Sequence, residues 1–406
     1  MKNLKKVFLA STLITLILAL SASTPVHSIE VTATIHVGTN FVDSTYDSEK
    51  GEVFMDNSNG ELLIISDSSK TFSTLSMGTS LAGIAYDSGK GEIFVANEKG
   101  NTVSVISDTT NNVVATVRVG NAPIGVACDS GKGEVFVTNR NDNTVSVISD
   151  IDNTVVATIA VGTAPDGIAY DSGKGEVFVA NSNPGNPTNS ATPPGTISVI
   201  SDKTNTVVST ITVDPVPQKM VYDSGKGEIF VINGGTTVTV ISDSNNTVIA
   251  SLMPPIAPGD LAYDSAKGAV FICGYYFGFD AVNRTICVMS DSTSEFLETL
   301  SLTPGRSTAT GIAYDSALGE VFVSETDGNV YVLLDASLPN VTLSPTAATA
   351  SPNPSATPTS TASLSPSPTP TQSPSPSPSV PEFPAWIVLP SLFVVGLVVF
   401  FRKRRG

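Results

Sequence analysis

The chain has 406 residues and a formal charge of −16, with two histidines and three cysteines. A surface this acidic repels polyanions, which excludes nucleic acid as a partner. His27 and His36 cannot assemble the imidazole clusters that hold copper, haem or catalytic zinc.

The N-terminus places Lys2, Lys5 and Lys6 before an apolar run from Val7 to Leu20, followed by small residues at Ser21, Ala22, Ser23 and Ser28. This is the layout of a signal peptide over 1–28, with a retained anchor as the competing reading; the run is short for a membrane span.

From there a stretch typified by GIAYDSGKGEVFVAN (167–181) recurs seven times. Its Tyr-Asp-Ser steps begin at Tyr46, Tyr86, Cys128 (in place of Tyr), Tyr170, Tyr222, Tyr263 and Tyr314. A period near 42 residues in a β-rich pattern predicts one propeller blade per repeat. Within 83–120, GIAYD (83–87) reads as a strand whose Gly83 and Ala85 suit crowding near an axis. SGKG (88–91) is a turn, and the almost wholly apolar EIFVAN (92–97) reads as a strand buried on both faces. TVSVISD (102–108) and NVVATVRVG (112–120) supply two more strands, the last an exposed edge carrying Arg118.

The seventh repeat has only three good strands. VTATIHVG (31–38) matches the outer-strand segment TVVATIAVG (154–162), so the mature N-terminus is expected to complete the last blade; VTLSP (341–345) is the competitor. The expected fold is therefore all-β: a seven-bladed propeller of four-stranded antiparallel blades over 29–336, closed by its N-terminal strand.

Residues 337–380 are Ser, Thr, Pro and Ala with almost no charge, a composition that builds no core and reads as an extended, disordered stalk with room for O-linked sugars. The segment 381–406 holds Pro381, Glu382, Phe383 and Pro384, then the apolar run 385–401 and RKRRG. That is the layout of a single transmembrane helix with a cytoplasmic basic tail, leaving the propeller outside as a single-pass cell-surface protein. Setting aside the leader lysines, the tail basics and Glu382, the part between carries about −22.

VFVTN (135–139), VFVAN (177–181), NTVSVISD (143–150) and VVATIAVG (155–162) resemble the YVTN-type β-propeller repeats of archaeal surface-layer proteins, across roughly 31–336. PEFP before an apolar span and basic tail resembles the archaeal PEF-type C-terminal sorting signal. The resemblance implies a propeller sorted to the cell surface, with a C-terminal processing enzyme as a further partner. It implies no defined ligand.

Compared with one another, the repeats are uniform at one end and variable at the other. The uniform end carries Asp47, Asp87, Asp129, Asp171, Asp223, Asp264 and Asp315, and a second series, Asp67, Asp108, Asp150, Asp202, Asp243, Asp291 and Asp335. These read as turn-forming residues; calcium is the rival, without the dense Asp-x-Asp-x-Asp pattern of a dedicated loop, so no cofactor or metal site is assigned. At the variable end the fourth blade inserts 181–196 and the sixth inserts 274–284, with Tyr275, Tyr276, Phe277 and Phe279 close together. Exposed, they form a sugar-stacking or protein-binding patch; buried, they cap the channel or fill local core. Cys273 and Cys287 are candidates for a disulfide bracing that loop, and Cys128 for a buried, inert thiol. Asn245, Asn283 and Asn340 stand in glycosylation triplets.

No nucleophile elbow, phosphate loop or Cys/His pair is present. The expected function is a non-enzymatic surface protein whose propeller serves adhesion or envelope assembly, binding envelope protein or polysaccharide. The alternatives are a carboxylate- or metal-dependent extracellular hydrolase or lactonase-like enzyme, and a surface ligand-capture module.

Overall fold

The computed structural model describes residues 29–335 except 40, 79, 184–192, 276–282 and 305–307. The leader, the stalk, Tyr276, Phe277, Phe279, Asn340 and Pro381, Glu382, Phe383 and Pro384 lie outside the described residues. Among the described residues no helix is long and apolar enough to cross a membrane.

The described chain forms twenty-eight strands in seven four-stranded antiparallel sheets. Blades 1–6 each take four consecutive strands, and blade 7 takes the last three plus the first strand of the chain. The closing strand is Ile29–His36, starting two residues earlier than expected. It pairs with Asn329–Asp335 from Ile29↔Asp335 to His36↔Asn329, with a bulge between Val31 and Ala33. Strand addition at the seam leaves no unpaired edge on Asn329–Asp335, the edge that invites association.

The buried second strand explains the apolar runs. Phe54, Phe94, Phe136, Phe178, Phe230, Phe271 and Phe322 are each fully buried, one per blade. Successive side chains point to opposite faces of a strand, so each blade feeds two inter-blade cores. Phe94, Val103 and Val105 of blade 2 pack with Val126, Val135 and Val137 of blade 3. At the seam, Ile35 and Phe322 of blade 7 pack with Phe41, Val53 and Met55 of blade 1.

The inner strands approach so closely that some positions admit no side chain. A Cβ on Gly83 would lie 1.8 Å from the carbonyl oxygen of Ile124 in the next inner strand, and one on Gly167 2.0 Å from that of Gln218.

The repeated aspartates serve the turns. Oδ1 of Asp47 accepts from the amides of Glu49 and Lys50 at 2.9 and 3.1 Å; Asp129, Asp171, Asp223, Asp264 and Asp315 likewise accept from the amides two and three residues on, and Asp87 accepts from that of Gly89. In the second series, Asp108 and Asp150 press on Gly91 and Gly133, which sit at φ 67° and 72°. Lysines then clasp neighbouring blades: Lys90, Lys132 and Lys174 donate to the carbonyls of Asp150, Asp202 and Asp243. Blade 7 carries Leu318 at the lysine position, and Lys70 of blade 1 takes over at the seam, donating to the Asp67 carbonyl and Glu320 with its ammonium 4.9 Å from the Phe322 ring.

The expected Cys273–Cys287 bridge does not form; Cys128, Cys273 and Cys287 are all free. Register gives the reason. Cys273 pairs with Ile286, and Cys287 with Ile272, so the two thiols project from opposite faces of blade 6. Cys273 belongs to the core shared with blade 7 and Cys287 to the core shared with blade 5.

Candidate functional site

Each inner strand begins at the variable end of the propeller and runs to its Tyr-Asp turn. Aligned on that turn, the third residue before Tyr is Asp43, Gly83, Gly125, Gly167, Lys219, Asp260 and Gly311. Four blades keep the glycine that close packing demands. Blades 1, 5 and 6 replace it with a charge, and blade 4 adds Asp166 one position earlier.

The fold brings these charges to one end of the central channel. A cavity of about 310 Å³ is lined by all seven inner strands, with Asp43, Asp166, Lys219 and Asp260 at the variable end. Ile84, Val126, Ile168, Met220, Leu261 and Ile312, which belong to or pack against the inter-blade cores, also line it. Lys219 of blade 5 reaches across to Asp43 of blade 1, Nζ to Oδ2 at 2.7 Å, with 25% and 21% of the two side chains exposed. Two blades on different sides of the ring are thereby tied through the opening.

Asp56 lies behind Asp43, paired with it in register, and is fully buried. Burial raises its pKa well above the carboxylate range, Asp43 adds to the effect, and Lys219 opposes it. Asp260 is 5% exposed; its Oδ1 accepts from the Leu261 amide at 2.9 Å. Burial pushes its pKa up to about 7, with Lys219 pulling down and Asp43 pushing up. Burial also raises Asp166, against Arg140 at 3.7 Å and the Ser182 hydroxyl at 3.4 Å. Burial works against the Lys219 ammonium, but Asp43, Asp260 and Asp56 outweigh it and hold its pKa above the ordinary value. The mouth is thus a partly dry cluster of acidic side chains facing Lys219 and Arg140. Among the described residues no group of three or more His, Cys, Asp or Glu is arranged to hold a metal ion.

The residues singled out from sequence fall elsewhere. Tyr275 is 42% exposed at the end of the second strand of blade 6, at the same end of the propeller as the charged mouth. Asn245 is exposed in a turn at the uniform end, its Oδ1 accepting from Thr247 at 2.7 Å. The backbone of Asn283 opens the third strand of blade 6. Cys128 sits where other blades carry tyrosine; burial, with Asp87, Asp150 and Asp129, pushes its thiol pKa well up and leaves a poor nucleophile. Sequence reasoning missed the channel cluster, although the signal was present: charge at a position that glycine holds in four of seven repeats.

Fold and repeats define the class: the chain is a seven-bladed β-propeller repeat protein. No protein-family model matches it, and no curated protein does.

Proposed function

We propose that this protein is a non-enzymatic binding protein of the cell surface, its propeller presenting the variable end to envelope protein or polysaccharide. One observation carries the reading. The turns at one end are held in a common pattern by aspartate, whereas the other end concentrates the departures: the charged channel mouth, the insertion of blade 4 and the aromatic insertion of blade 6. A scaffold constant at one end and varied at the other is the arrangement of a recognition surface on a rigid support.

Surface display is supported by the signal-like N-terminus, the Ser/Thr/Pro segment 337–380 and the apolar run 385–401 with its basic tail. The resemblance of the repeats to YVTN-type propellers, and of Pro381–Pro384 to a PEF-type sorting signal, points to an archaeal envelope and to a processing enzyme at the tail. The test is binding of the closed propeller, residues 29–336, to isolated envelope and to its polysaccharide. Wild type is compared with a variant carrying Tyr275, Tyr276, Phe277 and Phe279 as Ser. Saturable binding lost in the folded variant supports the reading. Absence of binding to any envelope fraction, with turnover on a panel of esters, lactones and glycosides, replaces it with the hydrolase alternative, for which the raised pKa of Asp260 would supply an acid.

A further inference from the structure

We propose that the outer edge of blade 1 is a self-association surface: Phe72–Ser76 pairs antiparallel with the same strand of a second copy, across a two-fold axis at Thr74. The contact uses the flank of the propeller and not the variable end, so it stands apart from the adhesion reading.

Each blade ends in an outer edge strand, and an edge offers free amides and carbonyls to another strand unless something blunts it. In six blades a bulge does so. Val114, Val156, Val208, Ile249, Leu297 and Thr32 are the extra residues that break the register of blades 2 to 7. Blades 2, 6 and 7 add a charge on the strand, Arg118, Glu298 and Glu30. Blade 1 has neither device. Its outer strand reads Phe-Ser-Thr-Leu-Ser and pairs without interruption from Glu61↔Ser76 to Ile65↔Phe72. The cause lies in the sequence. From the second-series aspartate to the next glycine, blade 1 spans 67–78 and blade 2 spans 108–120, one residue longer. The residue missing from blade 1 is the one that bulges.

The free groups of this edge match their own two-fold copies. The Ser66 amide donates to the Thr71 carbonyl at 2.9 Å, in the register of the strands that follow. Bonded and non-bonded pairs alternate along an antiparallel ladder. Ser73 and Leu75 therefore turn their amides and carbonyls inward to the third strand, and Phe72, Thr74 and Ser76 turn theirs outward. Set antiparallel against itself about Thr74, the strand places Thr74 opposite Thr74 of the second copy, and Phe72 opposite its Ser76. Each of these pairs then exchanges two hydrogen bonds, and the two blades merge into one continuous sheet with an isologous interface. A Thr–Thr pair is favourable across strands, no like charges meet, and the second copy covers part of Phe72, which is 44% exposed. Specific interfaces bury about 1,200–2,000 Å². A five-residue seam supplies only part of that, so the dimer is weak and forms at high local concentration.

The assay is sedimentation equilibrium of the full-length protein in density-matched detergent over a concentration series. About 0.5 M NaCl shortens the Debye length to about 4 Å and screens the repulsion between two acidic copies. A monomer–dimer equilibrium is expected. Thr74→Pro removes an outward amide and no inward one, which an edge strand tolerates, and is expected to weaken association about tenfold or more. Cross-linking reads the position of the contact. Bonded antiparallel pairs stand about 5.5 Å apart at Cα, so Thr74→Cys is expected to give a covalent dimer with a short bismaleimide. Wild type is the blank for the native thiols. Thr116→Cys, at the same strand position in blade 2, is expected to give about tenfold less dimer. Monomer at every concentration overturns the self-pairing and leaves the edge to a strand of another protein. Unchanged association in a folded Thr74→Pro variant, or equal cross-linking at positions 74 and 116, overturns it as well. Where Thr74→Pro fails to fold, the two cysteine variants decide.

Discussion

Lys219→Met tests the channel cluster most directly. The substitution keeps the length of the side chain and removes the one cation inside the cavity, leaving Asp43, Asp56 and Asp260 facing one another. Breaking a buried ion pair by removing one partner costs about 3–5 kcal/mol. Water reaches a quarter of the Lys219 side chain and a fifth of that of Asp43, so solvent screening brings the loss below that range, to about 2–3 kcal/mol at pH 8. At pH 5 Asp56 and Asp260, whose pKa values burial raises, take up protons instead of bearing charge, and the loss shrinks to about 1 kcal/mol. Urea unfolding of wild type, Lys219→Met, Asp43→Asn and the double variant at both pH values measures this. The double variant is expected to be no less stable than Lys219→Met alone, a coupling of about 1 kcal/mol or more. A loss under about 1 kcal/mol at pH 8, an equal loss at both pH values, or strict additivity would refute the electrostatic account of the mouth.

Three further outcomes are expected. Asp56, Asp129, Asp150, Asp166, Asp243, Asp260 and Asp291 all have folded pKa values raised by burial. Stability from a raised carboxylate is complete below its unfolded pKa and lost as pH climbs through the folded value, which for Asp260 is about 7. The melting temperature should therefore be higher at pH 5 than at pH 8, with a smaller difference in Asp260→Asn; a rise from pH 5 to 8 contradicts the assignment. Deleting 29–36 removes the buried Ile29 and Ile35 and frees the edge Asn329–Asp335, so a loss of at least about 3 kcal/mol and concentration-dependent association are expected. A deletion variant that stays monomeric with unchanged urea midpoint would show that closure contributes little. Lastly, three thiols should titrate under denaturing, non-reducing conditions; a count of one would restore the Cys273–Cys287 bridge.

Parts of the structure were legible in the sequence because each repeat states the same local rule. The apolar second strand, the Asp-initiated turn and the small inner-strand residues recur seven times, so chance variation in one blade is corrected by the others. The closing strand was legible for the same reason, since 31–38 copies an outer strand and stands where one was missing. Cys273 and Cys287 misled because the long insertion between their strands hides the register, and a one-residue change in pairing turns a side chain to the other face. The channel charges were overlooked because each looks like an isolated departure when the blades are read one at a time.

The sequence by itself determined the blade, its number, the turn chemistry and the way the ring closes. All of these follow from contacts within one repeat or between a repeat and the next, where spacing along the chain is a fair guide to spacing in space. Only the tertiary structure decided that Lys219 meets Asp43, that Asp56 and Asp260 join them, and that this cluster shares an end with Asn181 of blade 4 and Tyr275 of blade 6. The residues of the cluster lie on three different blades, and closing the ring brings them to one opening. The raised pKa values of Asp56 and Asp260 arise from the same cause: burial at the axis removes the water that would have solvated each charge separately.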